Sequence, residues 1–251
     1  MTCSIFSLIS DSAISTRLDI LINKNKNLDF TMPGKLTYFD LNGRVDACRM
    51  ALSHANFQYE DNRVTFEQFG AMKASGELPL GSAPIWQEDG FTMCQSNAIL
   101  RMIGIRCGYY HTDPMICWAI DSMLDFHEGF TNQWQSYWAP ILGGADPATL
   151  ADADITEWCE KFWDKVIPVT EARLAKHGKR FLAGTDRPTI CDFKAFCAYA
   201  NTFCNPGCPL SQSNKDKIQA KVDAAPCYAA WVRTMKAETD NYCQTRPARP
   251  F

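Results

Sequence analysis

The stretch KLTYFDLNGRV, residues 35–45, alternates on a period of two over its first five residues and then breaks into a turn. Val45, Cys48, Leu52 and Ala55 follow at spacings of three and four, one face of a helix. Tyr38 therefore stands at the tip of a strand, directly before Gly43, Arg44 and a helix start. A buried tyrosine commonly packs its ring and ties off its hydroxyl. At a strand–helix junction it can instead aim the O–H at a molecule arriving from solvent. The stretch by itself leaves both readings open.

The alternation of strand and helix continues to about residue 108. QYEDNRV (58–64) reads as a second strand, followed by a polar stretch. APIW (83–86) and FTM (91–93) flank QEDG, whose Asp-Gly pair is a hairpin turn. A helix then carries Ala98, Ile99, Met102 and Ile103 on its apolar side, with Ser96 near its start. A β-α-β unit, a β-hairpin and a closing helix make the thioredoxin-like plan. Pro84 cannot donate to a strand ladder, so it belongs at a strand end or edge. In that plan it is cis, and Ala83 before it turns its backbone toward a peptide ligand.

After YYHTDP the texture becomes helical. Asp113 can cap a helix with Pro114 in its first turn, and Met115, Ala119, Met123 and Phe126 follow as its stripe. A second helix runs through Ile155, Trp158, Phe162 and Val166 and stops at Gly178. A third opens at PTICDF, where Thr189 and Asp192 form a capping pattern. A last one is expected over roughly 226–243. The fold class is thus an α/β thioredoxin-like N-terminal domain, 33–108, followed by an all-α helical-bundle C-terminal domain, 113–251. Residues 1–32 lack a core-forming pattern, a basic n-region or a long apolar run, and are expected to form a disordered extension.

Composition narrows the function. The 251 residues are 46% hydrophobic and 21% charged, enough for a core, and the net charge of −3 gives no basic face for nucleic acid or an anionic membrane. Twelve cysteines are scattered without a CxxC, and Cys204 and Cys208 have no second pair at metal-ligand spacing. No metal is expected; the cysteines read as reduced thiols, mostly buried.

LTYFDLNGR, QYEDNRV, LPLGSAPI, DG with CQSNAILR, FLAGTDRPTICDF and the ending TRPARPF occur here in one order across residues 33–251. In this the chain resembles the cytosolic glutathione transferases, sigma class, a group that includes haematopoietic prostaglandin D synthases and cephalopod lens crystallins. The resemblance implies glutathione as co-substrate, a small hydrophobic electrophile, a two-fold homodimer, a cytoplasmic location and a role in detoxification. It implies no nucleic acid and no membrane. Tyr38 matches the catalytic tyrosine and Arg44 the arginine that supports its hydroxyl. Gln95 and Ser96 match the pair that holds the γ-glutamyl carboxylate, Ala83 with Pro84 the backbone that pairs with the cysteinyl residue, and Lys73 a lysine near the glycine carboxylate. Phe126, Phe130 and the loop after Tyr38 would face the electrophile, although the two rings could equally be helix–helix core. Two positions depart from the pattern: the tryptophan that donates to the glycine carboxylate falls on Phe69, and the aspartate that reaches across the dimer falls on Gly129. Glu128, next to Gly129, is expected to face elsewhere.

The chemistry fits a phenol. A free thiol has a pKa of about 8.5, so little is thiolate at neutral pH. A phenol donating to the sulfur favours the charged form. The reading is a glutathione transferase; a prostaglandin-H2 D-isomerase activity with the same thiolate, or a non-catalytic crystallin-like role, are the alternatives. A glutaredoxin-like reaction is rejected, because no cysteine stands at the strand–helix junction.

Overall fold

The computed structural model describes residues 33–142, 152–208 and 210–249. The extension expected over residues 1–32 lies outside them, as does part of the TRPARPF ending. So do the side chains of Ile155 and Trp158, named above as the start of a helical stripe.

Four strands form one sheet in the order β2-β1-β3-β4. They are β1 (Lys35–Phe39), β2 (Glu60–Val64), β3 (Ile85–Glu88) and β4 (Phe91–Cys94). β1 and β2 run parallel, which requires a crossover, and the helix α1 (Asp46–His54) supplies it after a 3-10 turn at Gly43–Val45. β3 runs antiparallel to β1 and to β4. Asp89 and Gly90 both take positive φ, +46° and +79°, so the β3–β4 turn has the primed form that matches strand twist. Trp86, fully buried on β3, lies so close to Gly34 that a Cβ there would meet the indole at 1.9 Å.

The polar stretch after β2 is a helix, α2 (Phe66–Ser75). None of its residues is buried, and its apolar side is only the short run Phe66, Phe69 and Met72, too brief to stand out from the polar residues around it. Its local signal is the capping box: Gln68 N–H donates to Thr65 Oγ1 at 3.1 Å, and Thr65 N–H donates to Gln68 Oε1 at 2.8 Å. α3 (Ser96–Cys107) follows β4 and buries Ile99, Leu100 and Ile103.

The rest of the described chain is helical. α4 (Pro114–Leu142) is capped by Asp113, whose Oδ1 accepts from Met115 N–H at 2.8 Å and Ile116 N–H at 3.1 Å. α5 (Asp152–His177) ends before Gly178, at φ +61°. α6 (Ile190–Phe203) carries the Thr189–Asp192 capping box and buries Phe193, Phe196 and Ala200. α7 (Gln212–Asp223) buries only Asn214, Ile218 and Val222, a stripe too thin to stand out in sequence. The single helix expected over 226–243 is two, α8 (Pro226–Glu238) and α9 (Asp240–Thr245). They part at Thr239, whose hydroxyl donates to Met235 O at 2.7 Å while its backbone leaves the helical region at φ −112°.

One continuous core joins the two halves, with Leu36, Met50 and Ile99 on one side and Leu124, Trp163, Phe196 and Trp231 on the other. Polar ties cross the same boundary. The Tyr242 hydroxyl donates to Asp46 Oδ1, Arg246 pairs with Asp46 at 3.1 Å, and His54 lies between the Tyr109 hydroxyl, 2.7 Å away, and Glu238, 3.0 Å away. The ten cysteines whose side chains are described are unbridged, and of these only Cys48 and Cys191 are buried; the other eight are half-buried, more open than composition suggested. No group of three or more potential metal ligands occurs among the described residues. No described helix is long and apolar enough to cross a membrane.

Candidate functional site

Strand register gathers the residues singled out in sequence. Thr37 of β1 pairs with Ile85 of β3, and Ile85 pairs with Cys94 of β4. Tyr38 follows Thr37, Pro84 precedes Ile85 and Gln95 follows Cys94. Because β3 runs opposite to its neighbours, all three emerge at the same end of the sheet. Local chemistry put them there: a turn after β1, a proline that can only start a strand, and a polar pair opening a helix.

Tyr38 is 5% exposed. Its hydroxyl oxygen accepts the Arg44 backbone N–H at 3.4 Å, a long bond, and no acceptor for its own proton occurs among the described residues. Burial pushes the phenol above its ordinary pKa; the Arg44 N–H and the charges of Arg44 and Arg49 pull back without cancelling the rise. The group is therefore a neutral O–H with a proton to give. Gly43 makes room for it: φ is +45°, and a Cβ there would stand 3.0 Å from the Tyr38 oxygen and 3.1 Å from the ring.

The Arg44 guanidinium pairs with Glu128 of α4, so the support Arg44 gives Tyr38 comes through its backbone N–H and, at longer range, its charge. Glu128 also accepts from Lys194 of α6 at 3.1 Å and from Asn97 of α3 at 3.4 Å. Burial would raise the Glu128 carboxyl, but Lys194 and Arg44 hold it below the usual carboxylate range. Glu128 thus faces elsewhere than exposed Gly129, as expected, and what the sequence did not show is where it points. It stands one turn beyond buried Leu124, on the face that α4 turns to the core. The available signal was that spacing together with a lysine set among apolar residues of α6.

Ser96 is 8% exposed and is the first residue of α3. The cap is Gln95, at φ +73° and ψ +111°, a conformation that costs a non-glycine residue about 1–3 kcal/mol and needs its surroundings to hold it. Its side chain makes no cap hydrogen bond, so the first N–H groups of α3 keep the partial positive charge of a helix start at this end of the sheet. The Ala83–Pro84 peptide is cis. Lys73, exposed on α2, passes its Cε within 3.5 Å of where a Cβ on Gly81 would lie, beside the loop that leads to Ala83.

The two departures have different surroundings. Phe69 stacks on Phe39 with ring centroids 4.9 Å apart, beside Phe66 at 4.7 Å, so packing accounts for it. A Cβ on Gly129 would meet nothing within 4 Å. Phe126 and Phe130 are half-buried, 5.1 Å apart, and Phe130 meets Phe162 of α5 at 5.3 Å. They are in part the helix–helix contact that was one of their two expected roles.

The chain has relatives among known proteins. The family described as "Glutathione S-transferase, N-terminal domain" matches residues 34–104, from before β1 through most of α3. The chain is 28% identical over 223 residues to the "Probable glutathione S-transferase 5" of Caenorhabditis elegans, covering 86% of this chain and 98% of that protein. It is 31% identical over 150 residues to "Glutathione S-transferase 1" of Ascaris suum, covering 60% of this chain and 71% of that one. The solved glutathione S-transferase of Ascaris lumbricoides shares the fold, with a TM-score of 0.67 at 22% identity over 88% of this chain and 100% of that one. A sheet end that carries a buried phenol, a cis proline and an open helix start thus sits in a chain that belongs to the glutathione S-transferase family.

Proposed function

We propose that this protein is a sigma-type glutathione transferase that binds glutathione at the Tyr38 end of the sheet, activates its thiol and conjugates it to small hydrophobic electrophiles. The observation that carries the reading is the Tyr38 hydroxyl, protonated, buried and with no acceptor for its proton among the described residues. Donated to glutathione's sulfur, that proton favours the thiolate over the thiol. A fall of two units from about 8.5 corresponds to roughly 2.7 kcal/mol and makes the thiolate dominant at neutral pH. The sulfur then attacks an electrophilic carbon, a carbon–sulfur bond forms and the leaving group departs with its electron pair. The sulfur carries no proton by then, so the step needs no base.

The remaining residues hold the tripeptide. Ser96 and the first N–H groups of α3 receive the γ-glutamyl carboxylate, and Gln95, fixed in its unusual conformation, faces the same end. Ala83, ahead of Pro84, offers its backbone to the cysteinyl unit, and Lys73 the glycine carboxylate. Arg44 is a positioning residue, steered by Glu128. The loop after Tyr38, with Phe126 and Phe130 beyond it, borders the electrophile. Phe91, Ile105, Met115 and Trp118 are more than 60% exposed along the β4 edge, α3 and the start of α4, and a second copy of the chain would cover them in a homodimer.

Retention on immobilised glutathione, followed by conjugation of an aryl halide, tests the reading. Ser96→Ala and Lys73→Ala should each weaken glutathione binding about tenfold, because each deletes a hydrogen bond to a charged group worth roughly 1.5–3 kcal/mol. Unchanged affinity in both would overturn this placement of the peptide.

A further inference from the structure

On the outer side of β2 lies a cleft of about 340 Å3 that none of the residues assigned to glutathione lines. Its floor and walls come from both halves of the chain. Arg49 and Ser53 belong to α1, Phe57 and Tyr59 to the loop before β2, Arg63 to β2, and Arg246 to the segment after α9. Three guanidinium groups and three aromatic rings, with Tyr242 the third, thus share one space.

The two most buried arginines are not saturated. Arg49, 0% exposed, gives Nε to Asp61 at 3.0 Å and Nη1 to the Leu41 carbonyl at 2.5 Å, while its Nη2 finds no acceptor. Arg246, 9% exposed, gives Nη1 to Asp46 at 3.1 Å and to Asn201 at 2.9 Å, and Nη2 to the Ala200 carbonyl at 2.7 Å; its Nε finds none. A buried charged donor without a partner is costly, and such sites are rare unless something else supplies the acceptor. Arg63 spends its donors on Asp61 at 2.9 Å and Asp40 at 2.9 Å, and Arg249 covers Asp40 from the far side at 2.6 Å. Asp61, the one carboxylate lining the cleft, is therefore already clamped by two arginines. With Asp40, Asp46 and Arg249 included, the cluster still holds one arginine more than it holds aspartates.

We infer that this cleft is a second ligand site, for a small aromatic phosphate monoester. The phosphate oxygens meet the unspent donors of Arg49 and Arg246, whose planar N–H forks suit an oxyanion, with Arg63 beside them and one positive charge in excess. The ring lies against Phe57 and Tyr59, and Tyr59 is itself braced by Trp86, 6.2 Å away between centroids. A ligand there bridges α1 and β2 to the segment after α9.

Phenyl phosphate, inorganic phosphate and phenol are titrated calorimetrically into the full chain saturated with glutathione, so that the Tyr38 site is filled. Phenyl phosphate should bind at least tenfold more tightly than either fragment. Ser53→Glu places a carboxylate in the cleft wall and should weaken phenyl phosphate at least tenfold while leaving aryl halide conjugation unchanged. Thr245→Glu does the same from the opposite, exposed wall and should act alike, which guards against a folding defect in the first variant. The inference is overturned if phenyl phosphate binds no better than inorganic phosphate, or if a folded variant of either kind binds it as well as the unaltered protein.

Discussion

Asp192 and Tyr38 are both buried polar side chains at helix or strand ends, and the protein treats them oppositely. Asp192, at the start of α6, accepts four hydrogen bonds at 2.9 Å each, from the backbone of Leu182, the backbone and hydroxyl of Thr189, and the Trp231 indole. Its bonding capacity is filled from three parts of the helical half, and nothing is left for a ligand. Tyr38 has one long contact from Arg44 and an unspent proton. A saturated polar group holds a fold together, because removing it strands its partners; an unsaturated one is available for chemistry. The same contrast separates the closed capping box of α6 from the uncapped start of α3 and its strained Gln95.

The contrast predicts which changes damage stability and which damage activity. Asp192→Ala should cost the most stability, about 3–5 kcal/mol, because it takes the acceptor from four buried donors. Urea unfolding checks this, and the fraction that remains folded should bind glutathione normally. A loss under about 1 kcal/mol would break the distinction. Glu128→Gln comes next and should affect both properties. It removes the counter-charge of Lys194, 7% exposed, and releases Arg44. Stability should fall by roughly 2–4 kcal/mol, and kcat should fall with it, whereas a purely structural role would leave kcat intact.

Gly43→Ala should be milder for the fold, at about 1–2 kcal/mol for a left-handed non-glycine residue. Its effect on turnover should be disproportionate, because the new methyl pushes on the Tyr38 oxygen. Steady-state kinetics beside a melting curve would show whether turnover falls by more than the folded fraction does. Gly129→Asp should have the smallest effect on the fold. Its Cβ meets open space and the change removes a helix-weakening glycine, so stability should rise by less than about 1 kcal/mol by thermal unfolding.

What could be read from the sequence follows the range of the interactions. KLTYF, the Asp-Gly turn and the Thr189–Asp192 box are local patterns, and each appears where it was read. Tyr38, Pro84 and Ser96 carry local signatures of a strand tip, a strand start and a helix start, but the resemblance to the glutathione transferases is what joined them with Gln95 as a set, and strand register brings them to one end of the sheet. α2 was missed because it buries nothing, and α7 because it buries so little. The break at Thr239 hung on one hydroxyl bonding back one turn. Glu128 and the Asp46–Tyr242–Arg246 tie were out of reach for another reason. Their partners lie 31 to 200 residues away, and no spacing rule reports a contact of that span.

The central claim is that the Tyr38 proton is reserved for glutathione's sulfur. The direct measurement is the ultraviolet absorbance of the thiolate in the glutathione complex, followed against pH in the unaltered protein and in Tyr38→Phe. The substitution keeps the ring and deletes one hydroxyl, so folding and glutathione affinity should change little. The account predicts an apparent thiol pKa about two units below the free value of about 8.5 in the unaltered protein, returning toward that value in the variant. An identical pKa in both proteins would contradict it.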